Sequence, residues 1–253
     1  GNFNSDNCAA GGFTLDYGPF GFCEIFDPWF QPWTGGGEHF AFFNQPRAAE
    51  ANYYMFWKAV RPLLANNADA LEQFDQVGRG FVEAMQQQLQ KMWAAKLGLT
   101  EFNPELFQQL MELMTHSDVD YTIFFRELSH IPDDVSALKK SFYGKTSQQF
   151  EDQWQAWLKS WRGLINDGPV EIPLAEISTK MKQTNPKYTW REWLVVPAYQ
   201  QAMQGDYSLV KELQAVFSSP YDEQSQDVED KYYRLRPSAF SDVGGVSHYS
   251  CSS

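Results

Sequence analysis

The sequence predicts a mainly α-helical fold with a short β-hairpin and loop region at its N-terminal end. Apolar residues recur at three- and four-residue spacing through most of the chain after Pro46, the period of a helix face. Glycines and prolines crowd instead into residues 1–46, where they favour turns over regular structure. Helix-start chemistry also stands where a helical pattern begins, as at Asn103-Pro104.

Taken in order, "TLDYG" is a short apolar run that ends in an acid and a turn, so Phe13 to Leu15 is expected as a strand. "PWTGGGEHF" reads as a loop. Ala48 to Leu64 is the first expected helix. Leu71, Phe74, Val77, Phe81, Met85, Leu89 and Met92 then fall on one face of a single long helix. "NPELFQQLMELM" starts a helix with Asn103 as its cap, and Asp120 to Leu128 gives a short one. Phe150, Trp154, Trp157, Leu158, Trp161 and Leu164 line another, whose tryptophans are expected as a core stripe. Trp190 to Gln204 and Ser208 to Phe217 close the helical series, and the tail from Pro220 reads as polar loop. The organisation predicted is a catalytic-loop segment 1–46, a helical body 47–219 and a tail 220–253.

The 253 residues can bury a substantial core. Hydrophobic residues at 43% and charged residues at 21% suit a globular chain, and aromatics at 16% argue for packing through large side chains. No apolar run of about 18 residues suggests a membrane span, and no leader pattern opens the chain. A formal net charge of −12 repels phosphate backbones, which argues against nucleic acid as partner while leaving room for a metal-bound nucleotide. Three cysteines are too few for a disulfide scaffold, so a reducing compartment is expected.

The residues that carry chemistry lie in "NSDNCAAGGFTLDYGPFGF", Asn4 to Phe22. Asp6 and Asn7 adjoin, and Asp16 follows after a glycine-containing stretch that can fold back on itself. A carboxylate and an amide oxygen are a fitting pair of protein ligands for Mg²⁺, which completes its shell with water and phosphate. Acids and amides among glycines also simply build turns, and each residue alone says no more than that. The four histidines, His39, His116, His130 and His248, show no metal-ligand spacing. Arg126 is as readily a structural ion-pair partner as a ligand contact. Cys8 and Cys23 sit in apolar company, as buried thiols do.

The whole string resembles the selenoprotein O family, protein adenylyltransferases with a kinase-like fold. Its N-T-D-N and D-Y-G-P-F-G-F blocks match Asn4 to Asn7 and Asp16 to Phe22. Further matches are "FFNQP" at Phe42 to Pro46, "DVDYTIFFREL" at Asp118 to Leu128, "NPKYTWREWL" at Asn185 to Leu194 with Glu192 where the family has Asn, "GDYS", "SPYDEQ" and the closing "SCSS". The resemblance implies the C-terminal lobe of a protein-kinase-like fold. It implies transfer of AMP from ATP to Ser, Thr or Tyr hydroxyls of proteins, with Mg²⁺ or Mn²⁺ as cofactor and ATP as substrate. Asp6 is then the catalytic base, Asn7 and Asp16 the metal ligands, and Asp16 the residue that meets ATP through the metal.

The resemblance further implies a monomer, mitochondrial in a eukaryote and cytoplasmic in a bacterium. It also implies that a nucleotide-gripping lobe precedes this chain. Residues 1–253 alone are then expected to be inactive, with apolar surface exposed around residues 1–25. Some members carry selenocysteine where Cys251 stands, which makes Cys251 a redox candidate; Pro32 stands where the family often has the partner cysteine, and Cys23, about nine residues earlier, is the cysteine near that position and the candidate to pair with it. Two other readings stay open at this level: a kinase that transfers the γ-phosphate, and a non-catalytic helical interaction module.

Overall fold

The computed structural model describes residues 3–17, 21–32, 34–144, 147–166 and 172–240. Among them the fold is mainly helical, with only isolated β-bridges in place of strands. The expected strand at Phe13 to Leu15 is one such case. Its single antiparallel bridge pairs Thr14 with Cys8. Gly18 to Phe20 and Cys251 lie outside the described residues.

The chain forms two compact units. One is drawn from Pro28–Gln90 with the described residues before Phe22, the other from Phe22–Asp27 and the described residues from Lys91 to Phe240. In the first unit, helix α1 spans Gln45–Val60 and continues as a 3-10 turn over Arg61–Leu64. Helix α2 spans Ala68–Arg79, capped by the Asn67 side chain on the Ala70 N–H. The two helices meet through Trp57, which stacks on Phe74 at 6.3 Å and donates its indole N–H to the Phe74 carbonyl. Arg61 forks onto Asp75 with both bonds at 2.9 Å. The single long helix expected over Leu71 to Met92 is two, because Gly80 ends α2 and α3 starts afresh at Phe81–Lys96. The Gly80 N–H bonds the Gln76 and Val77 carbonyls at 3.1 and 3.2 Å, which tightens the last turn of α2 before the break.

The second unit is built around α5, Tyr121–Leu128. Its Ile123, Phe124, Phe125 and Leu128 are all buried. Around it run α4 (Pro104–Thr115), α6 (Gln148–Asn166), α7 (Leu174–Thr184), α8 (Glu192–Met203) and α9 (Ser208–Phe217). Asn103 caps α4 on the Leu106 N–H at 2.8 Å, with Pro104 at the first helical position, as the sequence implies. The α6 tryptophans form the expected core stripe. Trp154 packs on Phe124, while Trp157 and Trp161 donate to the Leu106 and Leu97 carbonyls at 3.1 and 2.8 Å. The buried indole N–H groups of Trp157 and Trp161 thereby keep partners, whereas that of Trp154 is buried without one among the described residues and its ring contributes through packing alone.

The reading of the tail as loop is corrected. Helix α10 spans Gln226–Tyr232, capped by Ser225, and buries Tyr232 and Tyr233 against Tyr188, Trp193 and Leu213. Its polar face hid it, since Glu229 there bonds Lys187 and Lys140 at 2.6 and 3.0 Å. No described helix is long and apolar enough to cross a membrane.

Candidate active site

The segment that carries the sequence-predicted residues is local and tightly bonded. Ser5–Asn7 form one 3-10 turn, closed by the Asn7 N–H on the Asn4 carbonyl at 3.1 Å and the Cys8 N–H on the Ser5 carbonyl at 3.4 Å. The chain then doubles back. The Gly12 N–H bonds the Ala9 carbonyl at 3.0 Å, and the Ala9 N–H bonds the Phe13 carbonyl at 2.9 Å. Gly12 has φ +84°, a left-handed conformation that a side chain disfavours, so this reversal calls for glycine.

The reversal sets Asp16 beside Asn7. The Asn7 carbonyl accepts the Leu15 N–H at 2.7 Å and the Asp16 N–H at 3.5 Å. Asp6 and Asp16 are exposed and Asn7 is half-buried, so all three stand where a ligand can reach them. Among the described residues no group of three His, Cys, Asp or Glu side chains is placed to hold a metal. An amide and a carboxylate from Asn7 and Asp16 are too few for an all-protein cage. They fit Mg²⁺, a cation that keeps several waters and takes further oxygens from substrate phosphates.

A cavity of about 590 Å³ flanks this loop, lined by Ser5, Cys8 and Gly12 on one side and Asn52, Tyr53 and Phe56 of α1 on the other. Asn52, to which the sequence gives no role, donates its side-chain amide to the Phe3 carbonyl at 2.7 Å and lies 4.0 Å from the Cys8 sulfur. Phe13, Leu15, Tyr17 and Phe22 are at least half exposed, in keeping with the apolar surface expected around residues 1–25.

Cys8 is half-buried rather than fully buried; burial, with Asp6 nearby, raises its thiol above the ordinary value against the lowering bond from Asn52. Cys23 is buried. Its thiol donates to the Ile25 carbonyl at 2.9 Å, and its sulfur accepts the Asp27 N–H at 3.3 Å. Burial pushes this thiol up to about 12, which favours its protonated form at neutral pH.

In the second unit, the segment that follows the D-Y-G-P-F-G-F block in sequence pairs with the start of α5. Ile25 bridges Asp120, the Phe26 N–H bonds the Val119 carbonyl at 2.9 Å, and the Tyr121 N–H bonds the Glu24 carbonyl at 2.8 Å. Asp120, fully buried, caps α5 through the Ile123 N–H and takes a bidentate bond from Arg191. Arg191 also faces Glu24 at 3.6 Å. Burial raises the Glu24 carboxyl despite the cations of Arg191 and Arg236. Arg126 is structural here. It is 1% exposed, donates to the Lys182 and Asn185 carbonyls at 3.0 and 3.1 Å, and pairs with Glu223 at 2.6 Å.

The model of one protein family, described as protein adenylyltransferase SelO, matches residues 1–218. The chain belongs to that family. It is similar over its whole length to proteins named protein nucleotidyltransferase YdiU: 34% identical to the one from Flavobacterium johnsoniae, 33% to that from Aromatoleum aromaticum and 32% to that from Tolumonas auensis. In each case the match covers 100% of this chain and 49% of the relative. The chain thus spans about half the length of the curated relatives it matches. SelO membership makes the chain part of a nucleotidyltransferase family and agrees with the resemblance carried by the N-S-D-N and D-Y-G-P-F-G-F blocks.

Proposed function

We propose that these residues form the helical lobe of a kinase-like SelO adenylyltransferase, in which the loop from Asn4 to Asp16 is the metal and catalytic centre. The observation that carries this reading is the return of Asp16 onto the Asn7 carbonyl, which sets the two proposed ligands side by side. Asn7 and Asp16 would hold Mg²⁺ or Mn²⁺. When bound, that ion supplies positive charge beside the phosphates of ATP. Asp6, exposed on the 3-10 turn one residue before Asn7, takes the proton of an incoming protein hydroxyl. The hydroxyl oxygen then bonds the α-phosphorus of ATP, and pyrophosphate leaves. Ser, Thr and Tyr are the acceptors with such a hydroxyl.

The sequence of residues 1–253 holds no Gly-rich loop followed by lysine, the usual grip on a triphosphate. These residues alone are therefore expected to transfer no AMP. The test is mass spectrometry of the full-length protein after incubation with Mg²⁺-ATP. A mass gain equal to an adenylyl group, AMP less water, on a hydroxyl residue is expected. A gain equal to phosphate would replace this reading with a kinase, and no adduct on itself or on added lysate proteins would leave an interaction module.

A further inference from the structure

The turn that carries Asp6 and Asn7 has little packing to hold it. Asn4, Ser5 and Asp6 are exposed, and the turn contributes no buried residue. Ordering an exposed loop costs conformational entropy, and groups that share a metal tolerate only small displacements. Backbone bonds close the turn and tie Asn7 to Leu15, and a side chain from outside can further fix its two shoulders.

Asn52 is placed to do so. It projects from the middle of α1 and reaches Phe3, just before the turn, with a 2.7 Å bond from its amide nitrogen to the backbone carbonyl. The same nitrogen lies 4.0 Å from Sγ of Cys8, just after the turn. Cys8 closes the ring by directing its thiol to the Asn4 carbonyl at 3.6 Å. One amide thus touches the chain on both sides of Ser5–Asn7. A carboxylate at position 52 would oppose the Phe3 carbonyl oxygen, and an aliphatic group would offer it no donor.

We propose that Asn52 is a positioning residue, which clamps the two shoulders of the Ser5–Asn7 turn so that Asn7 and Asp16 present their oxygens to one cation. This rests on the assignment of Asn7 and Asp16 as metal ligands. Partners that orient a ligand from behind commonly change metal affinity or activity by about 10- to 100-fold when removed.

The test uses the full-length protein and two variants. Asn52→Leu keeps the branched shape without the donor, and Asn52→Ala avoids any crowding beside Cys8. Mn²⁺ binding is followed by electron paramagnetic resonance with a non-transferable ATP analogue, alongside kcat for AMP transfer and the melting temperature. The expected result is Mn²⁺ affinity at least about tenfold weaker in both variants, with melting shifted by only a few degrees. A residue with a merely structural role would lower the melting temperature and the active fraction while the remaining sites kept wild-type Mn²⁺ affinity, and that outcome overturns the clamp. Asn7→Ala is measured in parallel. If it loses Mn²⁺ affinity while the Asn52 variants do not, the clamp fails and the ligand assignment stands. If it too binds Mn²⁺ like wild type, the ligand assignment fails and the clamp with it.

Discussion

Arg191 grips Asp120 through two parallel bonds, Nη1 to Oδ2 at 2.6 Å and Nη2 to Oδ1 at 2.9 Å, with the two side chains 3% and 0% exposed. Burial acts to lower the guanidinium, but the Asp120 charge and its hydrogen bonds outweigh this and raise it. The pair joins the α5 start, where Asp120 is the cap, to the stretch just before α8.

Removing Arg191 leaves a carboxylate buried without its cation. Arg191→Leu is therefore expected to cost about 3–5 kcal/mol, and Arg191→Lys a sizeable part of that, because an ammonium cannot form the fork. Urea denaturation of wild type and variants measures it. A loss below about 1 kcal/mol for Arg191→Leu would show that Asp120 finds other partners.

The proposed catalytic residues should behave oppositely, since Asp6 and Asp16 are exposed. Asp16→Ala is expected to abolish AMP transfer by the full-length protein, and Asp6→Ala to slow it by about 10²–10⁴-fold, with stability within about 0.5 kcal/mol of wild type. Asn7→Ala should raise the Mg²⁺ needed for half-maximal rate and lower kcat. Transfer assays over a Mg²⁺ titration check all three. Undiminished turnover in Asp16→Ala at saturating Mg²⁺ would sink its assignment, and loss of ATP binding in Asp6→Ala would move Asp6 to the metal.

Lys96 gives a pH dependence. Its ammonium lies 4.4 Å from the Phe125 ring centroid and 5.3 Å from that of Tyr121, and it donates to Asn185 Oδ1 at 2.9 Å. Burial lowers it to about 8. An unfolded lysine titrates near about 10.4, so between these values the unfolded chain holds a proton that the folded chain has released. The Lys96 contribution to stability thus rises with pH through that window and is at its least below pH 8. Comparing wild type with Lys96→Met cancels the other titrating groups, Cys23 and the buried tyrosines included. The expected result is that wild type gains stability on the variant between about pH 8 and pH 10. A flat difference would contradict it.

Gly98 follows α3 with φ +66°, and a Cβ there would stand 2.6 Å from Met181 Sδ and 2.7 Å from Ile177 Cγ2 of α7. Gly98→Ala therefore combines left-handed strain with overpacking against a neighbouring helix. A loss of about 2–4 kcal/mol is expected, read as a lowered melting temperature. An unchanged melting temperature would mean that α7 yields without cost.

Much of this protein was legible in the sequence where the physics is local. Asn103-Pro104 announced a helix start because an N-cap needs only a side-chain oxygen and the N–H groups next to it. The α6 stripe and α9 followed from helical periodicity. The N-S-D-N and D-Y-G blocks marked the candidate site, and the reversal that joins Asn7 to Asp16 runs through near neighbours and a glycine that tolerates φ +84°. What the tertiary structure alone decided involves partners far apart in the chain. Gly80 divides what the apolar pattern made one helix. Helix α10 forms in a polar tail because Tyr232 and Tyr233 find a core built by Tyr188, Trp193 and Leu213. Arg126 is structural because folding brings Lys182, Asn185 and Glu223 around it. Asn52 reaches the candidate site from α1, across 49 positions of sequence to Phe3. Periodicity and capping record only what lies within a few residues, whereas burial and hydrogen-bond satisfaction are settled between segments that only the fold brings together.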